Sequence, residues 1–348
     1  CSSEPADQEE PGDDPGEVAE GGESIFDEPI AARLASEEVD GDPMTHWSYE
    51  FADAMEEWSD GDFTIDVYPY GTLGENRDIN EQAQLGIVEF VYSCHGWINT
   101  FVPEASVIGL HYMWPEDQVI EAFDHVMRNG ETMGVLEEAF RREGLVPLGV
   151  AFHDWQWITS DKPIETVDDM SGLTIRVMGS EMLSSSYRAY GANPTALAYG
   201  EIYSGLQTGL IDAQVQPIYA QVSMAFYEVQ EYMTNTYGEP FVGYPCANAE
   251  FFDSLPQEAQ DFMKDWWTDA AIPLGEWTLE KRAEDLDVLE GNIEIVEIEG
   301  EAREGFREAA MQSHEDFVND LGGPLAQEVY DALVQDIENA KADLGIEE

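Results

Sequence analysis

Arg176 is the residue best placed to do chemistry in this chain. In Gly172–Val177 (GLTIRV), Leu173, Ile175 and Val177 alternate with Thr174 and Arg176, the two-residue period of a strand with an apolar and a polar face. A single guanidinium on the polar face suits a cleft wall, where its planar fork grips a carboxylate through two parallel hydrogen bonds. The alternative is an internal Asp or Glu partner, which a chain this acidic supplies readily. Downstream, Gly191-Ala192-Asn193-Pro194 reads as a turn. A short helix follows from about Gly200 to Thr208, then an extended segment ending at Pro217.

The 348 residues suffice for two lobes with a substantial core. Asp and Glu number 74 against 14 Lys and Arg, for a formal net charge of −60. Self-repulsion of that size opposes compaction at low ionic strength. In molar salt the Debye length falls to about 3 Å, so the surface reads as adapted to high salt. An acidic disordered chain is excluded by 43% hydrophobic residues and nine tryptophans. No basic patch exists for a nucleic acid.

Cys1, Cys94 and Cys246 are the only cysteines, and none has the spacing of a zinc or redox motif. Residues 1–24 are rich in Ser, Pro, Gly and Glu and read as a flexible acidic tether. A cysteine at position 1 ahead of a tether is expected to carry a lipid anchor. The alternative is that the chain simply starts there. The longest weakly charged stretch, Phe90–Trp114, is too polar and broken to cross a membrane.

Stepping along the chain, a strand is expected at Ile30–Ser36 and a helix after Asp42-Pro43, carrying Trp47, Phe51, Met55 and Trp58 at helical spacing. FTIDVYPY alternates as a strand, Glu75–Gln84 reads as a helix and IVEFVY as a buried strand. This βαβαβ rhythm implies mainly parallel strands covered by helices. Further strands are expected at Leu145–Ala151 and around Arg176. Helices are expected around Leu255–Trp277 and Glu301–Leu321, and from Pro324 to about Leu344.

Three ordered blocks resemble the extracytoplasmic solute-binding proteins of TRAP transporters, the tripartite ATP-independent uptake systems. They are SEEVDGDPMTHWSYEFADAMEE, VYPYGTLGENRDINEQAQLG and the Gly172–Pro217 region. The resemblance runs from Ile30 to about Leu344, with the composition of a haloarchaeal-type acidic member. It implies an α/β, two-lobe, periplasmic-binding-protein-like fold (type II-like) with the ligand cleft between the lobes. Lobe I is expected to hold 25–153 plus about 242–281, and lobe II 154–241 plus about 282–348.

The resemblance also implies that Arg176 pairs with the carboxylate of a small organic acid. Where the sugar-acid-binding branch has a second arginine, this chain has Gln156. Where it has Gln-Glu-Asn-Pro, this chain has Gln214-Val215-Gln216-Pro217. A glutamate–arginine pair of that branch is replaced by Cys94 and Trp97. A ligand with one carboxylate and an apolar or hydroxylated body is therefore expected. Gln156, Gln216, Trp97, Trp155, Trp157, Tyr199, Asn193 and His95 are the further candidate contacts. Each ring has a core alternative, and Asn193 also suits shaping the turn before Pro194. His95 and His153 have no partners at metal-ligand spacing.

No cofactor is expected. The implied partners are the organic acid and the membrane permease subunits, with membrane contact only through a lipid on Cys1. A binding lobe that reports to a signalling receptor would need the same clamp. The chain has no nucleophile elbow, phosphate-binding loop or metal motif that would point to a secreted enzyme.

Overall fold

The computed structural model describes residues 24–321 and 323–346. Cys1 and nearly all of the expected tether lie outside the described residues. The strands are β1 (Ile30–Ser36), β2 (Phe63–Tyr68), β3 (Phe90–Cys94), β4 (Leu145–Pro147), β5 (Ala151–Ser160), β6 (Thr174–Val177), β7 (Asn193–Ala196), β8 (Ala213–Gln216), β9 (Tyr232–Asn248) and β10 (Glu294–Glu297). They form one sheet in the order β2-β1-β3-β9-β5-β8-β6-β7, with β4 and β10 also paired to β9.

The expectation of mainly parallel strands holds at the two flanks, and β10 also lies parallel to β9. β1 runs parallel to β2 and β3, and β6 runs parallel to β7 and β8. Between them, β5 and β9 pair antiparallel to each other, and their outer neighbours β8 and β3 are antiparallel to them. A chain that crosses from one parallel group to the other and returns must run in both directions, which makes the sheet mixed.

β9 spans both groups. Its Gly243–Ala247 end pairs with β3 and its Tyr232–Asn235 end with β10. β5 follows it throughout, with register breaks between Phe152 and Asp154 and between Trp155 and Trp157. Such irregularities bend a strand and sharpen its twist. Tyr237, opposite the second break, sits at a φ of 52°.

The expected Leu255–Trp277 helix is longer than its apolar pattern suggested. It runs from Gln257 to Leu289, 33 residues, continuing through Pro273. It packs on the helices Pro43–Trp58 and Val119–Asn129, and also on β5 and the helix Ile218–Ser223. The helix Gly323–Leu344 packs against Val119–Asn129 and Thr132–Arg142, and also against the helix Gly300–Leu321, burying Leu325, Val329, Leu333 and Ile337. Its apolar stripe has to cover the face those helices leave open.

Aromatic rings fill the core under the first parallel group. Phe51 meets Phe90 at 5.8 Å and Trp267 at 5.2 Å between ring centres, and Trp267 reaches Tyr92 at 5.0 Å. Among the described residues no helix is long and apolar enough to cross a membrane.

Candidate functional site

β6 lies between β7 and β8, with Arg176 opposite Thr195 and Gln214. The expected turn at Gly191–Pro194 is tighter than its composition implied, since Asn193 already belongs to β7. Arg176 is fully buried. Its Nε donates to the carbonyl of Leu197 at 3.0 Å. Its Nη1 and Nη2 have no hydrogen-bond partner. Burial lowers its pKa to about 10, while Tyr199, Cys94, Tyr70 and Glu37 oppose the shift. One edge of the guanidinium is thus pinned by backbone and two donors are left over in a water-poor setting. That arrangement is costly alone and is satisfied by a carboxylate.

A small cavity is lined by Glu37, Glu38, Asn76, Trp97, Met178, Tyr199, Gln216, Ala220 and Phe241; Arg176 is not among the lining residues, but Glu37 and Tyr199 act on its charge. Its volume of about 20 Å³ admits roughly one water. An organic acid enters such a space only if its walls separate. Three contacts hold them together. The Tyr219 hydroxyl donates to Glu38 Oε1 at 2.6 Å, and Ser223 Oγ donates to Asp42 Oδ2 at 2.9 Å. The Tyr70 hydroxyl donates to Glu75 and accepts from the Gly200 N–H at 3.0 Å, with its ring edge-on to Tyr199.

One wall of the cavity is acidic. Glu37 and Glu38 follow β1 directly and are buried. Glu37 accepts from Ser93 Oγ at 2.8 Å, and Glu38 Oε2 accepts from the Met44 N–H at 2.7 Å. Burial raises the pKa of Glu37 against hydrogen bonds from Cys94, Ser93 and Asn76. It raises Glu38 further, helped by the charge of Asp42. Asn76 donates to the Glu37 carbonyl, but its Oδ1 is buried without a partner. The site therefore offers unmet donors on Arg176, and carboxylates with an unmet acceptor on the cavity wall.

Of the residues expected from sequence, Trp97, Tyr199 and Gln216 line this cavity. Trp97 lies against Gly179, where any Cβ would come within 3.0 Å of the indole. His95 is buried behind Phe241, and burial pushes its pKa down to about 4. Gln156 points to a different polar cluster, donating to Glu239 at 3.1 Å. Glu239 also accepts from Tyr187 and faces His111 Nε2 at 3.3 Å. Burial pushes Glu239 up, but His111 and Tyr187 outweigh it and hold it below the usual carboxylate range. Trp155 packs on Phe152 and Tyr237, and Trp157 sits among Ile218, Met233 and Leu289. Asn193 is exposed, and its amide donates to the Gly172 carbonyl at 3.1 Å. His153 bonds to the Tyr92 hydroxyl at 2.8 Å in the core.

Glu37, Glu38, Asn76, Met178, Ala220 and Phe241 were not singled out from sequence. A pair of glutamates among 74 acids carries no compositional signal. Their place just past the carboxyl end of a parallel strand, where ligands bind in open α/β sheets, was the available clue. Cys94 and Cys246 are buried free thiols. Among the described residues no three His, Cys, Asp or Glu side chains converge as metal ligands.

Residues 34–320 match the family of bacterial extracellular solute-binding proteins, family 7 (DctP). The chain is 32% identical to the ectoine-binding periplasmic protein TeaA of Halomonas elongata over 321 residues, 89% of this chain and 91% of that protein. It is also 32% identical to the ectoine/5-hydroxyectoine-binding periplasmic protein UehA of Ruegeria pomeroyi, over 83% of this chain and 86% of that protein. The solved structure of the ectoine-binding protein from the TeaABC TRAP transporter superposes with a TM-score of 0.82, covering 89% of this chain and all of the other. A TRAP solute-binding protein from Desulfovibrio salexigens with bound orotic acid superposes at 0.84 with 24% identity, which is a likeness of fold. The fold is accordingly the two-lobe α/β arrangement of these proteins, and the chain belongs to the DctP family of bacterial extracellular solute-binding proteins.

Proposed function

We propose that this protein is the extracytoplasmic receptor of a TRAP transporter for a small organic acid bearing one carboxylate. The observation that carries this reading is Arg176, fully buried with Nη1 and Nη2 lacking partners. A ligand carboxylate would receive both donors in a bidentate pair. The ligand's body would lie against Trp97, Tyr199 and Phe241, with Gln216 beside it.

The carboxylates of Glu37 and Glu38 on the cavity wall favour a ligand that also carries positive charge. Ectoine, a cyclic amidinium carboxylate, has both groups, and two relatives at 32% identity are named as ectoine binders. The open form would take the ligand onto Arg176, and closure would bring up Glu37, Glu38 and Asn76. The bound ligand stabilises the closed state because only there are all of these groups satisfied. The closed protein would then dock on the membrane permease, and an ion gradient would drive uptake. On this reading the chain catalyses no reaction.

We further infer a salt-rich habitat from the charge of −60, and lobes divided near residues 153/154, 241/242 and 281/282. The deciding experiment is calorimetric titration in molar KCl with ectoine, 5-hydroxyectoine, succinate and galacturonate, with the carboxamide of ectoine as control. Saturable binding of ectoine and none of its carboxamide supports the Arg176 clamp. Equal binding of both overturns it.

A further inference from the structure

A second space adjoins the ligand cavity. It has a volume of about 190 Å³ and is lined by Glu75, Asn76, Arg77, Trp97 and the segment Ala196–Ala198. Asn76 and Trp97 belong to both spaces. Its far wall includes Leu197, whose carbonyl holds Arg176 Nε. This antechamber therefore shares a wall with the candidate ligand cavity.

Arg77 is the one cation on its walls, and its position is not explained by stability. It is the second residue of the helix Asn76–Gln84, where the positive end of the helix dipole disfavours a cation. Both nearby carboxylates are otherwise engaged. Glu75 accepts from the Tyr70 hydroxyl, and Asp78 Oδ2 accepts from the Glu75 N–H at 3.1 Å. Asp78 is fixed there by the close approach of Gly74, at a φ of 134°, where any Cβ would come within 2.8 Å of it. Among the described residues Arg77 forms no ion pair, although acids outnumber bases 74 to 14 and most other cations do pair. An exposed guanidinium is thus held uncommitted beside the candidate cleft, near a second, buried guanidinium whose Nη1 and Nη2 lack partners.

We propose that the antechamber is an encounter subsite for carboxylates, in which Arg77 captures the ligand's carboxylate before it passes to Arg176. This rests on the reading of Arg176 as the final carboxylate clamp. A net charge of −60 repels anions and draws a zwitterion in by its cationic end. One free cation in the antechamber offsets the local field there and turns the carboxylate inward. After closure Arg176 takes over, so Arg77 lowers the barrier to arrival and departure alike and leaves the equilibrium affinity unchanged.

The test is stopped-flow tryptophan fluorescence with ectoine on the full chain, read through Trp97, from 0.3 to 3 M KCl. Wild type is compared with Arg77→Gln and the charge-restoring Arg77→Lys. Removing a rim charge changes association and its salt dependence. Arg77→Gln should slow association roughly three- to tenfold at the lowest salt, with the gap closing towards 3 M. Its dissociation rate should fall by the same factor, leaving the dissociation constant at the wild-type value, and Arg77→Lys should recover most of the association rate. Wild-type association in Arg77→Gln overturns the encounter subsite alone. So does a loss carried by faster dissociation at every salt concentration, which would make Arg77 part of the closed site. If wild type itself binds no carboxylate, the Arg176 reading falls and the encounter subsite falls with it.

Discussion

The Tyr219 hydroxyl donates to Glu38 Oε1 at 2.6 Å, joining the helix that follows β8 to the turn that follows β1. These segments belong to the two parallel groups on opposite sides of β5 and β9, so the opening motion proposed above would break the bond. Tyr219→Phe leaves the ring in place and strips a buried carboxylate of a donor. Loss of such a partner costs about 1–3 kcal/mol. Ectoine affinity should weaken by a corresponding five- to hundredfold, measured by calorimetry. An unchanged dissociation constant would show that this bond does not contribute to closure.

Arg176 should separate binding from stability. Arg176→Met removes the clamp, and ligand affinity should fall by about 2–5 kcal/mol. The ligand-free protein should keep its melting temperature or gain slightly, because an incompletely paired buried charge is replaced by an apolar side chain of similar length. A large drop in melting temperature without ligand would mean that Arg176 serves chiefly as a structural ion.

Asp42 sets a dependence on pH. Burial raises its carboxyl from 3.8 to about 7, against the Ser223 hydrogen bond and the charge of Lys281. A carboxyl raised on folding contributes stability that is fully present below its unfolded value and is lost as pH rises through the folded one. The protein should therefore lose stability between about pH 4 and pH 7, by up to about 4 kcal/mol from this group. Asp42→Asn keeps an acceptor for Ser223 and should flatten that slope in pH-resolved thermal melts. Glu37 and Glu38, also raised, would leave a residual slope of the same sign.

Glu37 should discriminate between ligand charges. Glu37→Gln retains an acceptor for Ser93 and removes a negative neighbour from the cavity. Ectoine binding should weaken at least tenfold, about 1.4 kcal/mol. Binding of a simple monocarboxylate, measured in parallel, should hold or improve. If both ligands respond alike, the Glu37 carboxylate does not read ligand charge.

Salt should act on the whole fold. Raising KCl from 0.1 to 2 M should raise the melting temperature steeply at the low end, as surface charges are screened, and then level off. A flat profile would remove charge repulsion as the dominant destabilising term.

Most elements on the parallel flanks are legible in the sequence because their signals are local. Alternation marks β2 and β6, and Asp42-Pro43 marks the start of a helix at Pro43. What is not legible depends on pairing across distance. β9 and the helix through Pro273 each serve both flanks, and neither role follows from a short window of residues. The site shows the same division. Arg176 stands out as a lone cation on a strand, and Trp97, Tyr199 and Gln216 follow from the resemblance. Glu37, Glu38 and Asn76 become part of the site only when β1 and the helix at Asn76 are laid beside β6. Trp155 and Trp157 had the right chemistry for a ligand wall, but the bends in β5 turn them into separate packing clusters.

The shared use of β5, β9 and the 33-residue helix also bears on inheritance. No single cut in the chain yields two self-sufficient halves, since either piece would lack a strand that the other supplies. Recombination could not exchange one half for a homologue's and keep the sheet intact. New ligand preferences in such a scaffold have to arise by point changes around the cleft, at positions such as Glu37, Gln216 and Trp97, and not by swapping modules.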